Sequence, residues 1–183
     1  MKKILPILIT ILIVGCSQEA NLISITIDNN QCTIELEGDM SPMMERDRNE
    51  DASLQYANIF REKYIMIISE GEIYSTFWKN QDSLIYYEID NISNPFDAYS
   101  NLIIKSLEHQ YQSEADVSEY LINGMIAKRV SIDGTFDGME ISWTTFLING
   151  KYNFYQICVW TTVDNKLEYL PKLEKMAQTF KEI

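Results

Sequence analysis

The sequence predicts an α+β chain with an antiparallel β-sheet of about six or seven strands flanked by helices. Three observations carry this. Runs rich in β-branched and aromatic residues follow one another across short turn signals, among them Asn123-Gly124 and Asn149-Gly150, so neighbouring strands pair as hairpins. Two later stretches, one opening at Asn94-Pro95 and one near Lys166, carry the apolar spacing of an amphipathic helix. Strand runs and helix runs are grouped rather than alternating singly, which favours an α+β layout over parallel βαβ units.

Residues 1–15 read as a leader rather than as part of the fold. Lys2-Lys3 form a short positive region, and Ile4 to Val14 is almost wholly apolar but too short to span a bilayer comfortably. The run ends in Ile13-Val14-Gly15-Cys16, which is similar to the lipobox of bacterial lipoproteins. That resemblance implies acylation of the Cys16 thiol and cleavage just before it. Ile13 departs from the usual leucine, whereas Gly15 and Cys16 fit. A plain secretory leader with a chance cysteine is the competing reading. Residues 16–21 then form a lipidated tether, and 22–183 a single folded domain. Ser17 follows the cysteine where an aspartate, in such lipoproteins, favours the inner membrane; the expected location is the cell envelope, at the outer membrane of a Gram-negative bacterium. Several acyl chains hold a protein far more firmly than one, since each buried CH₂ contributes about 0.8 kcal/mol.

The elements follow in order. Ile23, Ile25 and Ile27 alternate with Ser24 and Thr26 over a strand at Leu22 to Ile27. After Asp28-Asn29-Asn30, a second strand alternates Cys32, Ile34 and Leu36 with polar residues to Glu37. Gly38 to Ala52 reads as a polar loop. Ser53 to Ile59 and Tyr64 to Ser69 are strands about a turn at Phe60 to Lys63, and the continuous apolar run in the second predicts a mid-sheet position. Glu72 to Asp90 is ambiguous and read as helix. Asn94 as N-cap, Pro95 at the first helical position and Asp97 in the first turn start a helix to about Gln110, with Phe96, Tyr99, Ile103 and Leu107 on one face. Asp116 to Ile122 and Met125 to Asp133 flank Asn123-Gly124, and Asp133 to Gly138 reads as a loop.

Met139 to Thr162 reads as the main hairpin. A type I′ turn at Asn149-Gly150 sets Leu147 opposite Tyr152, Trp143 opposite Gln156 and Met139 opposite Trp160, with that face in the core and the other part-covered. The last helix starts close to Leu167, because Pro171 is tolerated only near a first turn. Leu167, Leu170, Leu173, Met176 or Ala177, and Phe180 form its expected buried stripe.

The order strand, strand pair, helix, four-strand meander, helix resembles the Mog1/PsbP-like fold, an α/β/α sandwich. Two passages carry the likeness: Ala52 to Tyr56 leading into Glu62 to Glu70, and Gly150 to Gln156 leading through the last helix to Thr179-Phe180-Lys181. Both look like parts of small bacterial lipoproteins of this superfamily. Eukaryotic members bind a small GTPase or a photosystem, and no residue here matches those contacts. The resemblance implies an accessory, non-enzymatic domain.

Charge narrows the partners. The formal net charge is −12, and loss of Lys2 and Lys3 with the leader makes it more negative still. Nucleic acid is not an expected partner, since binding it needs clustered Lys and Arg. Adhesion of the acidic surface to anionic lipid is not expected either, so the membrane is reached through the N-terminal lipid. A protein partner of unspecified identity is the leading expectation. A small ligand or cation, held by acidic loops or by the aromatic stretch Phe77, Trp78, Tyr86 and Tyr87, is the alternative, and a hydrolase the third.

No cofactor or metal is expected from the residue pattern. His109, the single histidine, is placed at the exposed end of its helix with no second histidine for a triad. Asp47-Arg48-Asn49-Glu50-Asp51 begins like a calcium loop but has Ala52 and Asn58 at the glycine and closing-glutamate positions. Asp133, Asp137 and Glu140 flank Gly134 and Gly138 and most simply serve a turn. Cys32 and Cys158 are either a disulfide or two buried thiols.

Overall fold

Seven antiparallel strands form the central sheet, and a second sheet of three lies on one of its faces. The computed structural model describes residues 22–27, 31–70, 94–151 and 153–183. Its elements are β1 (Leu22–Ile27), β2 (Cys32–Glu37), β3 (Ser41–Pro42), β4 (Ala52–Asn58), β5 (Lys63–Glu70), α1 (Pro95–Tyr111), β6 (Asp116–Ile122), β7 (Met125–Phe136), β8 (Met139–Asn149), β9 (Phe154–Thr162), α2 (Lys166–Ala177) and β10 (Lys181–Glu182). The large sheet runs β3-β4-β5-β9-β8-β7-β6, and the small one β1-β2-β10. The four-strand meander is thus β6 to β9, and β5 sits mid-sheet with Ile65, Met66 and Ile67 buried.

Local chemistry explains most boundaries. Asn94 caps α1, its side chain accepting from the Phe96 amide at 3.0 Å, and Gln112 ends the helix in the left-handed region. Asn123 and Gly124 have φ of 48° and 86°, so this dipeptide makes the expected two-residue turn, with Ile122 opposite Met125. The same geometry recurs at Asp137-Gly138. There β7 continues to Phe136, so the loop expected over Asp133 to Gly138 is only a two-residue turn.

The main hairpin departs from expectation. Trp143 pairs with Trp160, Leu147 with Gln156 and Asn149 with Phe154. The chain reverses over Gly150 to Asn153, closed by the Gly150 amide donating to the Asn153 carbonyl at 3.0 Å. The register therefore differs by four residues from that of an Asn149-Gly150 turn. An even shift leaves each side chain on its expected face. Both faces are covered, however, and the one expected to be mixed carries the larger core. There Phe146, Ile148, Tyr155, Ile157 and Val159 pack with Leu170, Leu173 and Met176 of α2 and with Ile34 of β2. On the opposite face, Phe96 and Tyr99 of α1 cover Val130, Leu147 and Phe154.

Two further expectations are corrected. The polar stretch after Gly38 holds the short strand β3 and a 3-10 turn at Glu45–Asp47. Leu167 is 94 % exposed rather than buried, because the first turn of α2 overhangs the end of the sheet. The N-terminal strands form the small sheet, completed by β10. Cys32 and Cys158 are not bonded to each other and are buried in separate clusters, Cys32 with the α2-side core and Cys158 beside Ala52 and Met66. The leader, tether, Asp28-Asn29-Asn30 turn and the helix read over Glu72 to Asp90 lie outside the described residues.

Candidate functional site

Tyr64, Trp160 and Trp143 stand on neighbouring strands β5, β9 and β8, paired across the sheet and pointing to one face. Their rings stack in a row. Tyr64 and Trp160 have centroids 5.2 Å apart and planes within 5°, and Trp160 and Trp143 are 4.5 Å apart at 17°. Tyr111, at the end of α1, tilts against Trp143 at 6.1 Å. The row exists because strand spacing, near 4.8 Å, matches ring stacking when the pairing is in register. The indole N–H of Trp143 donates to Thr145 Oγ1 at 2.7 Å, which fixes its rotamer. Gly134 of β7 makes room for Tyr111: a Cβ there would sit 2.8 Å from the Tyr111 Cβ.

This row is the floor of an open cleft of about 530 Å³. Met66 and Ile141 complete the floor, Phe136 and Met139 form one lip, and Arg46, Asp47 and Arg48 form the other. The rim is thus of both signs, and the floor is apolar and aromatic. Arg48 donates to the Ala52 carbonyl and is held in place. Burial, followed by the nearby Glu62 carboxylate, raises the Tyr64 phenol above its ordinary pKa. It stays a neutral hydrogen-bonding group.

Hydroxyl and carboxylate meet at one corner, where Thr162 donates to Glu62 at 2.6 Å. Asn165 donates to the same carboxylate oxygen at 2.8 Å. Both bonds fasten the β4–β5 turn to the end of β9, a positioning role. The cleft has the size and lining to accommodate an apolar or aromatic group flanked by charge.

The residues singled out in the sequence lie elsewhere. His109 is on the exposed face of α1. Of the calcium-like run, Asp47, Arg48 and Asn49 reach the cleft rim, and the Asn49 backbone amide donates to the Gln55 side chain at 2.8 Å. Asp133 faces the α2 side, bound by Lys166 at 2.7 and 2.8 Å and by the Ser142 hydroxyl at 2.5 Å. Asp137 is the left-handed residue of the β7–β8 turn. Among the described residues no group of three or more His, Cys, Asp or Glu is placed to hold a metal ion. Cys16, Phe77, Trp78, Tyr86 and Tyr87 lie outside them. The aromatic row was missed because it depends on Trp143 facing Trp160, a pairing that the true register alone creates.

No protein-family model matches the chain, and no curated protein matches it either. Solved structures do. The chain is similar to cyanobacterial PsbP (CyanoP) from Synechocystis sp. PCC 6803, with TM-score 0.59 and 9 % identity over 92 % of this chain and 96 % of that one. It is similar to the Ran-binding protein Mog1p of Saccharomyces cerevisiae, with TM-score 0.56 and 11 % identity over 89 % of this chain and 96 % of that one. A Bacteroides thetaiotaomicron protein matches at TM-score 0.53 and 7 % identity, over 87 % of this chain and 48 % of that one. At such identities the likeness is one of fold, and the chain has the Mog1/PsbP-like fold.

Proposed function

We propose that this protein is a lipid-anchored accessory protein of the cell envelope, non-enzymatic, that holds a partner polypeptide in the aromatic cleft. The observation that carries the reading is the cleft itself: a floor of Tyr64, Trp160 and Trp143, open along the sheet, between rims of both signs. Interfaces use such aromatic floors with polar edges for anchoring side chains. Lys2-Lys3, the apolar run after them and Cys16 support the anchor, and Ser17 supports the outer membrane of a Gram-negative cell. The Ran-binding activity in the name of Mog1p belongs to that protein; it lends the partner reading precedent on this fold. Retention of a small ligand or cation has less support, because Asp133 is spent on Lys166 and Ser142.

A photo-crosslinking residue at Met139, on the cleft lip, tests the partner in membranes carrying the full protein, with Leu121 as control. The expected result is a discrete heteromeric adduct from position 139, absent from 121 and lost on Trp160→Ala. No adduct from 139 beyond that at 121, or an adduct of twice the chain's own mass, rejects the reading. Radiolabelled palmitate entering the wild type but not Cys16→Ala tests the anchor separately.

A further inference from the structure

The register of the two sheets fixes which end of the molecule meets the tether. Leu22 pairs with Glu37, and Glu37 binds Lys63, the first residue of β5. The chain therefore enters at the end of the sheet that carries the β4–β5 turn, the start of α2 and the β7–β8 hairpin. Six peptide units separate Cys16 from Leu22, a reach of roughly 20 Å at full extension. Strand β5 alone, eight residues long, spans more than that at roughly 3.3 Å per residue, so the opposite end does not reach a surface that holds residue 16.

That entry end is unusually apolar. Phe60 is fully exposed, Ile59 is 68 % exposed, and Leu167 stands out from the first turn of α2. Phe136 and Met139 protrude at the neighbouring hairpin. The turn bearing Ile59 and Phe60 is fastened outward. Asn58 accepts from the Arg61 amide at 3.2 Å, Glu62 sits in the left-handed region, and the Glu62 carboxylate is held by Thr162 and Asn165. In this arrangement the Ile59 and Phe60 side chains both stand in water. Charges around them are mixed, with Arg61 paired to Asp39 and Lys166 to Asp133. Contact with an anionic surface has no electrostatic support there, whereas contact with a zwitterionic one needs only apolar side chains.

We infer that this end of the protein, led by Ile59, Phe60 and Leu167, dips into the headgroup region of the bilayer that holds the acyl anchor. The inference rests on the lipid-anchor reading. It gives the anchored domain one orientation, and it opens the aromatic cleft, whose lip is Phe136 and Met139, beside the membrane surface.

The test uses the acylated full-length protein in phosphatidylethanolamine–phosphatidylcholine vesicles. A spin label is placed at Phe60→Cys or at Leu121→Cys, another apolar, exposed position, near the far turn at Asn123-Gly124. Cys32 and Cys158 are buried and do not take the label. Power saturation then compares collisions with oxygen, which concentrates in the membrane, and with a water-soluble nickel chelate. The expected result is a several-fold higher oxygen-to-nickel ratio at position 60 than at 121, unchanged by added salt. Equal ratios in protein whose residue 16 carries acyl chains by mass spectrometry overturn the inference and leave the anchor standing. An unmodified residue 16 overturns both.

Discussion

Replacing Lys63 with alanine probes how the small sheet is held to the large one. The Lys63 ammonium is 1 % exposed. It donates to Glu37 and to both oxygens of Asp39, at 2.9 and 3.0 Å, with the Tyr169 ring centroid at 6.0 Å. Removing one partner of a fully buried pair costs about 3–5 kcal/mol, because a charge is left without its counterpart. Here the survivors are carboxylates whose side chains are 16 % and 36 % exposed. Water recovers part of the loss, so a cost of roughly 2–3 kcal/mol is expected, with the vacated lysine stem included. The pH dependence follows from Asp39. Burial pushes its carboxyl up, but Lys63, Asn58 and Arg61 outweigh that and hold it below the ordinary value of 3.8. A depressed folded pKa contributes stability that is complete above the unfolded value and lost as pH falls through the folded one. The difference between wild type and Lys63→Ala is therefore widest near neutrality and narrows below about pH 4. Urea unfolding followed by circular dichroism at neutral pH and at about pH 3 measures it. A cost under about 1 kcal/mol at neutrality, or an equal cost at both pH values, would refute the reasoning.

Four other substitutions or treatments have defined outcomes. Gly150→Ala places a Cβ 2.5 Å from the Tyr155 ring and 2.7 Å from the Asn153 carbonyl, so it costs about 1–3 kcal/mol in thermal or urea unfolding. Leu173→Ala, at a site with no exposure, costs about 2–5 kcal/mol, whereas Leu167→Ala, at the overhanging turn, stays within about 0.5 kcal/mol of wild type. Burial pushes the Cys158 thiol up to about 12, so a thiol reagent at neutral pH should modify it only in denaturant, and release at the same rate in native buffer would contradict the packing.

Much of the fold was legible because it is written locally. Asn94-Pro95 starts α1, Asn123-Gly124 makes the turn its residues demand, and alternation marks β1 and β2. The failures come from partners distant in sequence. Gly150 is needed where Glu182, Tyr155 and Asn153 crowd its backbone, so the dipeptide that looked like a tight turn serves a close approach instead. Leu167 has the right spacing for burial, but nothing lies opposite it. The cleft was hidden most completely: its floor is drawn from β5, β8, β9 and α1, and a four-residue error in one hairpin separates its two indoles.

The short strand β10 has a bearing on when the protein can finish folding. Glu182 pairs with Cys32, the Ile183 amide donates to the Gln31 carbonyl at 2.8 Å, and Phe180 fills the core beneath them. Synthesis delivers these residues long after β2 has left the ribosome, so the first hairpin emerges with one edge unpaired and its apolar underside bare. Until β10 is made, that edge of β2 stays open.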